Sequence, residues 1–426
     1  MKSLSKFIDS VFPSYGIKNL KVYYWVKIFS LSFYMIANWL FFVLFFITPA
    51  QIGILESISF GIGMLVEIPS GAIADLLGKK ITVQIGLFMQ TIGLGSFILA
   101  PISPWFIVIG NIVVIAGFAM ISGAFEALAY DSMVEVNKEN HYDMVASRTG
   151  AIFPLVTIVS ALLGGLMWKY SIYLPWIATT LSLTLAFILS FKFSEPSVDT
   201  YKFSFKQFIE QNKIGLSQLR IPQIKKYFPV MMAVLSTHYM WSAGIVRIFM
   251  GEQFSYDGET LSYLVSAVML LSSISIFFMD KLKSKLGDAK GFVILTFMAA
   301  LGWIFAGIFN NSLIIGALIF VFLIISGELA EPWRSTVINK YVESKYRATV
   351  ISTMQFFVQM PYVLIAMFFG FMIEKNIVQD FYLAIGAIMI ISILWTIKYK
   401  IKSPTKEQII SNSKYALKSV RHNLIK

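Results

Sequence analysis

The amino-acid sequence predicts an all-α membrane protein of twelve transmembrane helices in two pseudo-symmetric six-helix bundles, with both termini cytoplasmic. Three observations carry that expectation: a composition too apolar for a soluble surface, a series of long apolar segments, and a one-sided distribution of basic residues. Of 426 residues, 57% are apolar, 15% aromatic and only 14% charged, against about 25% charged in a typical soluble chain. Mean hydropathy is +0.73, and the apolar runs reach the ~18 to 20 residues that cross a ~30 Å hydrocarbon core. A soluble enzyme or a secreted module is thereby excluded. Cysteine is absent, so neither a disulfide nor a thiolate metal site can form.

Taken in order, residues 1–23 read as a polar cytoplasmic segment. The apolar stretch after it lacks a short hydrophobic region followed by a small-residue cleavage site, so a retained first span is expected rather than a cleaved signal. Pro, Gly and charge clusters then punctuate spans near 24–47, 51–74, 81–100, 104–130, 148–168 and 172–191, which form the N-terminal bundle, 24–191. Residues 192–227 form a basic cytoplasmic linker in which Phe203, Phe205, Phe208 and Ile209 among charged residues suggest an amphipathic helix. Six further spans follow near 228–250, 260–279, 291–309, 312–333, 348–373 and 378–397, giving a C-terminal bundle of 228–397 and a basic cytoplasmic tail, 398–426.

With the N-terminus inside, every Lys and Arg except Lys169, Arg247 and Lys375 falls in an inner loop, a terminus or an inner helix end. That is the positive-inside pattern of an even number of crossings. The net charge of +12 is therefore a topology signal that favours anionic lipid headgroups, and nucleic acid is not expected as a partner. The Lys- and Ile-rich composition suggests a prokaryotic cytoplasmic membrane.

The two halves also echo each other. Ser122-Gly123 through Asp131-Ser132 to Arg148-Thr149 has a counterpart in Ser326-Gly327 through Arg334-Ser335 to Arg347-Ala348-Thr349. Duplicated halves are a common transporter architecture, with the solute site near the midplane.

The most specific local signal is Gly71-Ala72-Ile73-Ala74-Asp75-Leu76-Leu77-Gly78-Lys79-Lys80, at the inner turn between the second and third spans. Gly71 permits close helix packing, Asp75 can take a helix N-terminus or an Arg, Gly78 makes the turn, and the lysines hold the loop inside. In position and spacing this run resembles the loop signature of the major facilitator superfamily, with Leu77 and Lys79 where that signature usually has Arg. The second-half counterpart, Asp280-Lys281-Leu282 to Leu286-Gly287, is degenerate. The resemblance covers Tyr24 to Lys398. It implies an alternating-access transporter, monomeric and needing no cofactor or metal, with a cavity lined mainly by spans 1, 4, 7 and 10.

Groups that are costly to place in hydrocarbon supply the site candidates on those spans. Asn38 and Trp39 lie on span 1, Asn111 and Glu126 on span 4, His238, Tyr239, Trp241 and Arg247 on span 7, and Glu328 and Glu331 on span 10. Buried carboxyls can carry a proton, so Glu126, Glu328 and Glu331 are the proton-coupling candidates. Each has a structural alternative: Glu126 and Glu331 could pair with Arg148 or Arg334, His238 could be a packing residue, and Arg247 could snorkel at the outer rim. Glu67, Gly71, Asp75, Gly78, Lys79, Lys80, Asp131, Arg148 and Arg334 are expected to form an inner gate.

Acidic groups on spans 4 and 10 favour proton-coupled efflux of small amphipathic or cationic compounds, of the kind the resemblance to bacterial drug/proton antiporters implies. Span 5, however, reads Ser160-Ala161-Leu162-Leu163-Gly164-Gly165, which keeps the two terminal glycines of the antiporter pattern and not its Gly-Pro. Symport of a polar nutrient is the alternative, for which Gln355 and Gln359 offer partners. An enzyme is not expected: His141, His238 and His422 are the only histidines, and no His-Glu-x-x-His, nucleophile elbow or phosphate-binding loop occurs.

Overall fold

A computed structural model describes residues 12–33, 42–197, 209–210, 213, 217–342 and 344–399. Among them the helices are α1 (Lys18–Leu31), α2 (Pro49–Leu77), α3 (Lys79–Ser96), α4 (Trp105–Val134), α5 (Tyr142–Tyr170), α6 (Leu174–Ser190), α7 (Pro222–Ala243), α8 (Ile245–Gln253), α9 (Gly258–Phe277), α10 (Met279–Ile308), α11 (Leu313–Tyr341), α12 (Ser344–Glu374) and α13 (Val378–Lys398). Nine of these, among the described residues, are long and apolar enough to cross a membrane, and α6 is a shorter apolar helix. The expected linker helix around Phe203, Phe205 and Phe208 lies outside the described residues, as do Asn38 and Trp39.

The seventh span differs from expectation. It is two helices, α7 and α8, because Gly244 adopts φ +125°, a conformation closed to most L residues, and the chain restarts on a new axis. Apolar side chains such as Leu65, Ile109, Leu181, Ile314, Ile391 and Leu394 face outward. Such exposure suits lipid and would be costly in water.

The chain divides into two compact units. The first comprises residues 1–203 with 256–270 and 366–371; the second comprises 204–255, 271–365 and 372–426. In the first, α3 and α4 cross on glycines. A methyl group on Gly86 would stand 2.7 Å from the Gly117 carbonyl oxygen, and one on Gly93 would stand 2.7 Å from that of Gly110. With lipid as apolar as the side chains, such backbone approach is what holds helices together. Tyr23, Val83, Leu87, Phe125, Leu128 and Met133 fill the core beneath. Buried Asn19 of α1 donates to Ser132 Oγ of α4 and to the Ser194 carbonyl, both at 2.8 Å, and Ser182 of α6 donates to the Phe29 carbonyl at 2.7 Å.

The second unit packs around Trp241, Trp303, Trp333, Phe292, Phe320 and Tyr382, all essentially inaccessible. Thr296 of α10 donates to the Val230 carbonyl of α7 at 3.2 Å. Gln253 at the end of α8 donates to the Ala306 and Phe309 carbonyls at 2.6 and 2.7 Å, tying α8 to the end of α10.

Candidate functional site

Each unit places charged and polar side chains of spanning helices together. In the second, α7 brings His238 against α11, where His238 Nε2 lies 3.6 Å from Glu328 Oε1, both side chains mostly buried. The close approach of α7 and α11 depends on Gly327: a β-carbon there would lie 2.0 Å from His238 Nδ1. Nδ1 is itself buried and has no hydrogen-bond partner among the described residues.

One turn along α11, Glu331 is held by Arg334 at 2.6 Å, and Arg334 Nη1 donates to Gln355 Oε1 of α12 at 3.1 Å. Glu331 thus has a guanidinium partner, whereas the partner found for Glu328 is an imidazole. The other α7 and α8 candidates lie in the packed interior of this unit. Tyr239 meets Tyr362 edge-on with ring centroids 5.8 Å apart, and Trp241 meets Phe320 at 5.5 Å. Arg247 is only 2% exposed and sits 5.4 Å from the Trp241 ring centroid. Arg247 is therefore buried beside an aromatic ring rather than exposed.

In the first unit Glu126 stands 3.8 Å from Lys27 of α1, with its own side chain 59% exposed. Lys27, which the sequence presented as an ordinary helix-end lysine, takes the partner role expected of Arg148; Arg148 is exposed on α5. Asn111 is buried and donates to Ser59 Oγ of α2 at 3.0 Å, a helix-to-helix bond. The Glu67 carboxyl faces Ser122 of α4.

The inner loop expected at 71–80 forms around Gly78 (φ +94°), which ends α2 and starts α3. Lys79 pairs with Asp131 of α4, both largely buried. Glu195 was not anticipated: its carboxylate accepts from the backbone N–H of Lys79 at 2.7 Å and of Lys80 at 2.8 Å, capping the first turn of α3. The side chains at Gly71 and Asp75 are outside the described set.

The degenerate second copy proves to be built on the same plan. Gly287 (φ +68°) interrupts α10, and Asp288 directly after it pairs with Lys340 near the end of α11 at 3.2 Å and with Lys283 at 3.4 Å. Lys283 also reaches Thr336 Oγ1 and lies 5.8 Å from the Trp333 ring. Residues 78, 79 and 131 correspond to 287, 288 and 340 at one common offset. No group of three or more His, Asp or Glu that could hold a metal occurs among the described residues.

Comparison with known proteins agrees with this arrangement. Residues 230–424 match the family model described as Major Facilitator Superfamily. The chain is 21% identical over 364 residues to an uncharacterized MFS-type transporter, YxaM, of Bacillus subtilis (strain 168), a match covering 83% of this chain and 88% of the relative. Among solved structures, a POT family transporter in complex with 5-aminolevulinic acid superposes with TM-score 0.70 at 13% identity, covering 89% of this chain and 96% of that one. The nucleoside transporter NupG gives 0.66 at 13% identity, covering 91% and 100%. A D-xylose-proton symporter gives 0.66 at 12% identity, covering 90% and 97%. At these identities the structures show a shared fold. The family match and the Bacillus relative support the major facilitator superfamily, a multi-pass membrane protein and transport of the secondary type. The loop at 71–80 lies outside the residues that the family model matches.

Proposed function

We propose that this protein is a proton-coupled secondary transporter working by alternating access, exporting small amphipathic or cationic compounds in exchange for protons. The observation that carries the reading is the His238–Glu328 pair. A carboxylate inside a spanning segment is costly unless it is paired or protonated, and here its partner is a group whose own charge is titratable. Proton and cationic solute can then compete for Glu328. Glu331, fixed by Arg334, and Glu126, exposed beside Lys27, gain less from a proton, so they rank behind it. In this reading the Lys79–Asp131 and Asp288–Lys340 contacts are inner latches, the termini are cytoplasmic, and the protein works as a monomer in a prokaryotic cytoplasmic membrane.

A second reading is uptake of a polar nutrient by symport. It is favoured by the Arg334–Gln355 bond at 3.1 Å, a polar pair suited to a hydroxylated or zwitterionic solute, and by the fold shared with a transporter named as a D-xylose-proton symporter.

The test is proton flux in proteoliposomes with an internal pH dye under an imposed gradient, with lipophilic cations added first, then sugars, peptides and amino acids. Native protein is compared with Glu328→Gln, His238→Gln and Glu126→Gln. Gradient dissipation triggered by cations, lost in Glu328→Gln and retained in Glu126→Gln, is the expected result. Proton movement driven by a polar nutrient would establish symport instead. Coupled flux that survives Glu328→Gln would remove the pair from the mechanism.

A further inference from the structure

A groove on the outer surface of the second unit has the dimensions and charge of a site for one phospholipid molecule. It runs between α7, α12 and α13, has a volume of about 480 Å³, and is lined by Pro229, Met232, Met240, Ile365, Met389 and Trp395 among others. That volume falls within the ~300–1,000 Å³ of ordinary ligand sites. The lining is almost wholly apolar. Two of its hydroxyls turn back onto their own helices, Thr237 donating to the Ala233 carbonyl at 2.7 Å and Ser392 to that of Met389 at 2.6 Å.

One end is different. At Pro229 and Trp395 the groove meets a second depression lined by Leu219, Arg220, Lys225 and Phe228. Among the described residues Arg220 and Lys225 are the only charged ones lining either depression; both are exposed, and no described carboxylate lines the mouth. The same mouth lies at the N-terminus of α7, which has no side-chain cap. Its first-turn N–H groups carry the positive end of the helix dipole toward a negatively charged group. Trp395, 54% exposed, stands where basic and apolar linings meet, the position an indole takes at a membrane interface.

Length supports the same assignment. The α7 residues along the groove run from Pro229 to Met240, roughly 16 Å of helix at ~1.5 Å per residue. That is about half of a ~30 Å hydrocarbon core, one leaflet deep. Cationic at one end and apolar for the depth of one leaflet, the groove fits a phospholipid lying along the protein with its phosphate at the mouth. We propose that it binds an anionic phospholipid, the headgroup at Arg220 and Lys225 and one acyl chain along α7 and α13. Basic pockets between spanning helices favour such headgroups. The proposal needs only a membrane-embedded chain and is independent of the transported solute.

The test uses full-length protein in nanodiscs of phosphatidylcholine containing phosphatidylglycerol, with bromine on the acyl chains of one lipid or the other. Tryptophan quenching is measured, and the share of Trp395 is taken as the difference from Trp395→Phe. Brominated phosphatidylglycerol is expected to quench that share at a mole fraction roughly thirtyfold lower than brominated phosphatidylcholine, the scale two basic residues near a lipid surface provide. The exposed double variant Arg220→Gln/Lys225→Gln should bring the two curves together. Equal quenching by both lipids in native protein, or a preference unchanged in the double variant, would overturn the proposal. A free phosphate bound at the mouth carries no bromine and leaves Trp395 unquenched, which counts against the lipid.

Discussion

Asp288 and Lys340 stand 3.2 Å apart at positions that correspond to Lys79 and Asp131 in the first half of the chain, with the charges exchanged. In each half a glycine with positive φ precedes a charged residue, and the opposite charge stands near the end of the helix after the one that carries that residue, α4 in one half and α11 in the other. The two contacts share a position and differ in sign.

The more buried of the two contacts is the more demanding. Lys79→Met leaves the Asp131 carboxylate largely buried without its cation, a loss of about 3–5 kcal/mol for such pairs. The double variant Lys79→Met/Asp131→Leu removes both charges and should recover most of that loss. Thermal unfolding of the two variants beside native protein in detergent decides it; equal destabilisation by single and double variant would mean that the pair contributes through shape rather than charge.

Lys340 responds to pH in a defined direction. Burial pulls its ammonium pKa down, but the bond to Asp288 and the neighbouring Tyr341 outweigh that and leave it above the ordinary lysine range. A raised folded pKa contributes stability that is complete below the unfolded value and is lost as pH climbs through the folded one. Asp288→Asn should therefore destabilise the protein by the same amount at about pH 6 and about pH 8, the difference shrinking only above the usual lysine value of ~10.4. Unfolding curves for both proteins across pH give the answer. A difference that changes between those two neutral conditions would assign the contact to another group.

Gly327 controls the imidazole. Replacing it with Ala places a methyl where His238 Nδ1 now sits, and overpacking of this kind costs about 1–3 kcal/mol. His238 must turn away from Glu328, so Gly327→Ala should uncouple proton flux from solute while the protein still folds. Far-ultraviolet circular dichroism and the proteoliposome assay together check this; full coupling in a folded Gly327→Ala protein would show that the approach of the two side chains is incidental.

Gly117 is the corresponding test of packing in the first unit. A β-carbon there would lie 2.8 Å from the Gly86 carbonyl oxygen. Gly117→Leu should lower the thermal midpoint more than Gly123→Leu, because no atom stands within 4 Å of a β-carbon built on Gly123. Equal shifts would indicate that intrinsic helix propensity decides both.

Much of this arrangement is legible in the amino-acid order, for reasons specific to each element. Apolar length and positive loops place the helices because the bilayer imposes one length on all of them. The loop at Gly78 is readable since its lysines follow the glycine directly. Its counterpart at Gly287 is legible only as a degenerate copy, because the acidic Asp288 follows the glycine where the first copy has Lys79. His238 and Glu328 stand out singly as polar groups in apolar helices, but nothing in their separate contexts says that α7 and α11 bring them together. Lys27 resembles any helix-end lysine until α1 is packed against α4, and Glu195 resembles a linker residue until it caps α3. Arg247 stands out singly as a basic residue in an apolar stretch, and its burial beside the Trp241 ring follows only from the packing of α8.

The glycine crossing of α3 and α4 also bears on the order in which the molecule is assembled. The two helices are consecutive, separated only by a 3-10 turn at Phe97–Leu99 and the residues to Pro104. Both faces of their contact are present in the bilayer once synthesis has passed residue 134, before any of the second unit exists. Because the contact depends on backbone approach rather than on side chains supplied from elsewhere, the pair can dock while the ribosome is still working. The N-terminal unit thus carries its own nucleus. A bulky residue at Gly86, Gly93, Gly110 or Gly117 would act at the chain's birth, depleting the amount of protein that reaches the membrane intact rather than slowing each finished molecule.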